Sequence, residues 1–286
     1  DHLPRRHPKS FDKIEPTEPE LQRVSLAIRY AEDQFEGDAE RSSVFLRRAS
    51  VGSESFQSQL RTLRQNEDGG IRQIEELLKV TSRANADARL DFLVDWLVHF
   101  WHDDPTREVL IAAQDNATVE ELEREIQWRI PKIGPRNQRK PLFIATARDS
   151  FSALSGIEDD SPKTSEALRS MASSQLREFK MGGKQLLIAT DSFRQSYNLQ
   201  SADALIFYSL PWRPEDVDQW IGRVDRLGRG FVAPEVRKSP PKPVEIVTIH
   251  RIGDPTKCVE QVFNEYRILE SAVDMDREIA DDISTR

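Results

Sequence analysis

The sequence predicts a three-layer α/β domain built on a parallel sheet and preceded by an all-helical segment. Three observations predict it. From Arg107 onward, short apolar runs of strand length alternate with amphipathic helical stretches, as in a parallel sheet covered on both faces. Before Arg107 the apolar residues recur at helical spacing, with no convincing period-two run. Breaks near Gly37, Val51-Gly52 and Gly69-Gly70 cut that first region into short helices.

Taken in order, helices are expected over Glu18–Ala31, Ala39–Ala49, Glu54–Arg64 and Gly70–Val80. Leu90, Leu93, Val94, Leu97, Phe100 and Trp101 fall on one face of a fifth. Val109–Ala113 is the first expected strand. The helix after it carries Val119, Leu122, Ile126 and Ile130 on one face and opens on Thr118-x-x-Glu121, read as a capping box. Further strands are expected at Leu142–Thr146, Gln185–Thr190, Ala204–Tyr208 and Val244–Ile249. Helices are expected at Ser165–Phe179, at Pro214–Arg226 and along Val259, Val262, Phe263, Tyr266 and Leu269. Val232–Pro243 is too proline-dense for a strand and reads as a loop. The expected organisation is a helical segment over 1–104, the α/β domain over 105–272 and a loose acidic tail over 273–286.

A net charge of -8 argues against a surface coated in positive charge but leaves room for a local basic groove. The single cysteine, Cys258, excludes an internal disulfide framework, suits a reducing cytoplasmic compartment and reads as core filler. No stretch approaches the roughly 18 apolar residues of a membrane span, so no membrane partner is expected. The opening residues lack both an initiator Met and the apolar run of a signal peptide, so the chain reads as a piece of a longer protein. His99 and His102 have no third ligand at fitting spacing, and no metal site is expected there. No Ser-His-Asp or paired-carboxylate constellation stands at an expected strand end.

In sheets of this kind ligands bind outside the carboxyl ends of the strands. That directs attention to Asp115–Ala117, Thr146–Phe151, Thr190–Asn198 and Leu210–Pro214. The most informative segment follows the last of these. Gln219-Trp220-Ile221-Gly222-Arg223-Val224-Asp225-Arg226-Leu227-Gly228-Arg229 puts two arginines at i and i+3 on one helix face. Each guanidinium offers a planar fork of donors suited to the oxygens of a phosphoryl group in transfer. Gly222 removes a side chain beside the first of them, so that another surface can come close. Alone, R-x-x-R reads as an ordinary surface helix with ion pairs. Here the full string Q-x-x-G-R-x-x-R-x-G-R follows a strand and the turn Leu210-Pro211-Trp212-Arg213-Pro214. It resembles the last motif of superfamily-two helicases. Its opening Gln and its D-R-L-G resemble most the RapA-like and other bacterial Swi/Snf-type DNA translocases.

That resemblance implies a RecA-like C-terminal helicase lobe, part of an ATP-hydrolysing DNA translocase. Arg223 and Arg226 would act as arginine fingers, and Gln219, Gly222 and Asn198 would face the nucleotide. Leu187–Asp191 with Asn198–Ile206 is similar to the family's fifth motif, which implies backbone contacts to DNA at Thr190 and Ser192. Thr146 and Arg148 lie where a further DNA loop is expected. Arg139 and Lys140 belong to a stretch between Arg129 and Arg148 with six basic residues and no acidic one. It reads equally as a solvated loop or as a salt-sensitive grip on double-stranded DNA. ATP with Mg²⁺ would be held mainly by an N-terminal RecA-like lobe of the same parent chain. No G-x-x-x-x-G-K-[ST] loop occurs here, so this chain alone is expected to be inactive. Ser42–Arg48 and its surroundings resemble the insertion that bacterial members carry before this lobe, and the helical segment offers a surface for a DNA duplex or a protein partner. One departure matters: Ser196 stands where the family usually has Gly, which restricts that loop. It leaves a rival reading open, a catalytically decayed lobe serving as a protein-binding scaffold. An RNA helicase of the Asp-Glu-Ala-Asp type would begin the last motif with His, not Gln219.

Overall fold

The computed structural model describes residues 7–51, 53–65, 70–83, 87–135, 139–148, 173–190, 193, 199–225, 243–265 and 269. The chain opens with β1 (His7–Ile14) and four short helices, α1 (Glu18–Gln34), α2 (Ala39–Ser50), α3 (Ser53–Gln65) and α4 (Ile71–Thr81), followed by α5 (Ala88–Phe100). The α/β alternation then runs through β2 (Val109–Ala113), α6 (Asn116–Arg129), a two-residue pair β3 (Lys132–Ile133) and β4 (Lys140–Pro141), and β5 (Ile144–Ala147). It continues with a helix over 173–180 (α7), then β6 (Leu186–Thr190), β7 (Ala204–Phe207), α8 (Pro214–Val224), β8 (Glu245–Arg251) and α9 (Thr256–Glu265). Six strands form one parallel sheet in the order β1-β8-β7-β2-β6-β5, while β3 and β4 pair antiparallel beside it.

Every residue of β2, β6 and β7 is buried, because helices cover both faces and leave no solvent side to alternate toward. One face packs Leu93, Leu97 and Trp101 from α5 and its end with Leu122 and Ile126 of α6. The other packs Leu176 and Phe179 of α7 with Val217, Trp220 and Ile221 of α8 and Phe263 of α9. The expected three layers are there. Helices α1–α4 enclose a separate core of Tyr30, Phe35, Phe45, Phe56, Leu60, Ile74 and Leu77. Its rings meet edge to face, Tyr30–Phe35 at 5.5 Å and Phe45–Phe56 at 5.2 Å, geometry that adds to the burial term.

Two expectations are corrected. The first 104 residues are not purely helical, since β1 joins the sheet beside β8. Pro8, Lys9 and Lys13 are edge-strand residues that disguise it, and only Phe11 and Ile14 pack on the core. The N-cap of α6 is Asp115, not Thr118: the Asp115 carboxylate accepts from the backbone N–H (2.9 Å) and hydroxyl (2.8 Å) of Thr118. An aspartate one turn earlier serves the orphan amides first, so no Thr118–Glu121 capping box forms.

A buried charge cluster joins the helical unit to the sheet. The last carbonyls of α2 lack intrahelical partners, and arginines from three elements supply them. Arg89 and Arg251 both donate to the Ser50 carbonyl, and Arg23 to that of Val51 (3.4 Å). Arg251 also pairs with Glu20, Arg89 lies 3.4 Å from Asp254, and the Tyr208 hydroxyl donates to Asp87 (2.8 Å). Burial alone would raise the Asp87 and Asp254 carboxyls, but the arginines outweigh it and hold both below their ordinary range. Burial, with Arg251 nearby, brings Arg23 down to about 10. Glu121 is the exception beside this cluster. Burial, then the Asp87 and Glu54 charges, push it up to about 7, and its buried Oε2 has no hydrogen-bond partner among the described residues.

Candidate functional site

Three places hold the residues singled out in the sequence. The first is the carboxyl edge of β5 and β6. Ala147 pairs with Ala189, so Arg148 and Thr190 leave neighbouring strands side by side, with Thr146 two residues back. Thr190 is buried at 3% exposure and ends the strand at that edge. Arg148 is held by two carboxylates of α6, Glu120 at 3.0 Å and Glu123 at 2.6 Å, and its charge is already matched within the fold.

The second place is the outward stripe of α8. Pro214 at the first turn, with acidic Glu215 and Asp216, starts the helix as dipole and proline geometry favour. Val217, Trp220, Ile221 and Val224 face the sheet. At 100° per residue the opposite stripe carries Gln219, Gly222 and Arg223, all half-buried. The Arg223 carbonyl accepts from the Leu199 N–H at 3.0 Å. The end of α8 therefore lies against the residue that follows Asn198, and the two strongest motifs of the sequence meet there. A methyl group added at Gly222 would touch nothing within 4 Å. The fold as described does not need glycine at that position.

The third place is the opposite edge of the sheet. Lys140 belongs to the β3–β4 pair, which precedes β5 and so lies beyond its amino end, and Arg139 immediately precedes Lys140. Both are exposed, without a carboxylate partner among the described residues. The six-residue basic stretch is thus not one patch. Arg129 pairs with Glu125 (3.3 Å) and Asp91, Arg148 sits at the carboxyl edge, and Arg139 and Lys140 lie a strand's length away. Arg136, Ser192, Ser196, Asn198 and Arg226 lie outside the described residues.

Sequence reasoning gave helix α2 but missed its contacts with the sheet. Its Arg47 bonds Ser209 and its Arg48 lies 3.3 Å from Asp115, so it reaches the exits of β7 and β2. Adjacent arginines at a helix end read as dipole complement, and nothing in the sequence names partners 162 residues away. Of the histidine pair, His99 Nδ1 contacts the Asp95 carbonyl and His102 Nδ1 contacts Asp103. No metal-ligating cluster occurs among the described residues, nor any helix long and apolar enough to cross a membrane.

Residues 164–228 match the helicase conserved C-terminal domain. Over 141 residues the chain is 26% identical to the RNA polymerase-associated protein RapA of Vibrio atlanticus (strain LGP32), which covers 49% of this chain and 12% of RapA. The chain therefore spans a small part of that relative's length. Among solved structures it resembles the C-terminal part of the Fun30 ATPase domain, with TM-score 0.50 and 13% identity over 99% of this chain and 97% of that one. It also resembles the Pyrococcus furiosus Hef helicase domain, with TM-score 0.51 and 10% identity over 92% of this chain and 57% of that one. The alternation of strands and helices, the string on α8 and these likenesses agree: residues 164–228 are similar to helicase C-terminal domains, and the chain is similar at low identity to RapA.

Proposed function

We propose that this domain is the C-terminal motor lobe of an ATP-dependent Swi/Snf-type DNA translocase, acting on ATP bound between it and an N-terminal lobe of the parent chain. The observation that carries the reading is the meeting of the two motifs, where Leu199 bonds the Arg223 carbonyl and α8 turns Gln219, Gly222 and Arg223 outward. An outward arginine fork, with Arg226 three residues on in the sequence, is the group needed to neutralise charge on the outer oxygens of a γ-phosphoryl in transfer. ATP with Mg²⁺ would be held mainly by that N-terminal lobe, since no phosphate-binding loop occurs in this sequence. Asn198 would face the nucleotide. Thr146, Arg148, Thr190 and Ser192 would line the DNA strand's backbone, with Arg139 and Lys140 as an outlying contact. Opening and closing of the cleft with each hydrolysis would step the protein along the duplex.

The test is steady-state ATPase of the full-length parent with and without double-stranded DNA, beside the Arg223→Ala and Arg226→Ala variants. DNA should stimulate hydrolysis, and each variant should lose about 10³-fold or more while circular dichroism shows the 286-residue chain still folded. Wild-type rates in both variants would refute the arginine-finger roles. A second reading is favoured by Arg148, already neutralised by Glu120 and Glu123, and by Ser196 in place of Gly: a lobe without catalysis that serves as a protein scaffold. A folded parent that hydrolyses no ATP, with or without DNA, would select it.

A further inference from the structure

We infer that α2 clamps the turn that launches α8, and that Arg47 is a positioning residue for the outward face of α8. The turn 209–213 runs from the end of β7 to Arg213, the N-cap of α8. Helix α2 holds it at both ends. Near the C-terminus of α2, Arg47 Nε donates to Ser209 Oγ at 2.7 Å, and Nη2 donates to the Ser209 carbonyl at 2.7 Å. Near the N-terminus of α2, Glu40 accepts from Arg213 Nη2 at 2.6 Å.

The two anchors are unequal. Arg213 and Glu40 are exposed, so water and salt weaken their pair. Arg47 and Ser209 are 9% and 1% exposed. There, two donors of one rigid fork meet the hydroxyl and the carbonyl of a single residue, which sets the orientation of that peptide as well as its distance. Leu210 and Pro211, between the anchors, are buried, so the turn has little freedom to rotate once Ser209 is fixed. Arg48, the next residue, lies 3.3 Å from Asp115, the N-cap of α6 at the exit of β2. One turn of α2 thus touches the exits of two adjacent central strands. The position of α2 is fixed in its turn by Arg89 and Arg251 on the Ser50 carbonyl. Any shift of the α1–α4 unit relative to the sheet passes through Arg47 to the first turn of α8, and along that rigid helix to Gln219, Gly222 and Arg223.

The effect on hydrolysis rests on the proposed nucleotide-facing role of α8; the clamp itself does not. Hydrogen exchange on the 286-residue chain therefore reads the clamp without ATP. In Arg47→Met, which keeps the aliphatic stem and removes the fork, the amides of Asp216 and Val217, both bonded to the Arg213 carbonyl, should exchange at least about tenfold faster while β2 and β6 keep their rates. Arg47→Lys, a point charge, should restore only part of the protection, and Glu40→Gln should change it less than about threefold. Unchanged exchange at 216–217 overturns the inference. So does equal acceleration in β2, β6 and α8, which would make Arg47 a general stability residue. In a parent that hydrolyses ATP, Arg47→Met should lower kcat about tenfold with KM for ATP within about threefold, and an unchanged kcat overturns the transmission to α8. A parent with no ATPase defeats the motor reading alone, and the exchange result still decides the clamp.

Discussion

Arginine serves this chain in two ways, and comparing them separates scaffold from candidate site. Arg23, Arg89 and Arg251 are almost wholly buried at the seam between the helical unit and the sheet. Their donors go to Glu20, Asp254 and the last carbonyls of α2, so these charges are matched inside the fold. Arg223 sits half-buried, on the outward stripe of α8 and beside a glycine that the described fold does not need. Arg139 and Lys140 are exposed and without carboxylate partners among the described residues. Buried charge matched within the chain holds the chain together, while the exposed charges of Arg139 and Lys140 suit a partner.

The sharpest way to break that contrast is to remove an arginine of the buried set. Arg251→Ala strands Glu20, which is 1% exposed, without its ion pair, and frees the Ser50 carbonyl of one donor. Removing one member of a buried pair typically costs about 3–5 kcal/mol, and urea unfolding of the 286-residue chain should register a loss of that order. A loss below about 1 kcal/mol would mean that water replaces the guanidinium and that the seam is wetter than its burial indicates.

A smaller effect, with its own pH signature, comes from Glu121 at the margin of the same seam. Its carboxyl keeps a proton up to about 7 in the folded chain, against an ordinary value of 4.5. Below the ordinary value both states hold the proton and burial costs nothing extra. As pH rises from there, the unfolded state releases its proton first, so stability falls, and the loss is complete once pH has passed about 7. Glu121→Gln keeps the shape and removes the titration. The variant should match wild type near pH 4 and exceed it by on the order of 2–3 kcal/mol near pH 8. Asp87 and Asp254, held below their ordinary range, are already ionised over this window in the folded chain, so the difference between the two denaturation curves reports Glu121. Equal stability at pH 8 would place an unrecognised cation or water beside Oε2.

What could be read in the sequence divides along the same line. Strands β2, β6 and β7 were legible because burial on both faces leaves unbroken apolar runs, and the helices because one face of each repeats at helical spacing. The Gln219–Arg223 stripe was legible because its outward residues are neighbours on one helix. Strand β1 was hidden because an edge strand carries polar residues and shows the core only Phe11 and Ile14. The seam was hidden for a different reason. Arg89 stands beside the apolar stripe of α5, and its partners Ser50 and Asp254 lie 39 and 165 residues away. The basic stretch misled as a unit because sequence proximity cannot reveal that Glu120 and Glu123 of α6 neutralise Arg148 while β5 separates it from Arg139 and Lys140.

The smallest effect makes the most discriminating test, because stability and function should move in opposite directions. Gly222 lies inside α8, where glycine costs roughly 0.5–1 kcal/mol relative to alanine through backbone entropy. A Cβ there meets nothing within 4 Å. Gly222→Ala should therefore stabilise the 286-residue chain by about that much, visible as a rise of a few degrees at most in melting temperature. If the outward stripe closes on a nucleotide held by a second lobe, the same methyl group stands between the surfaces, and DNA-stimulated ATPase of the parent should fall by about tenfold or more. A stabilised variant with wild-type hydrolysis would show that nothing approaches this stripe closely, and would move Arg223 out of the nucleotide site. A destabilised variant would show that neighbours beyond the described residues already fill the space, so that the glycine belongs to the scaffold after all.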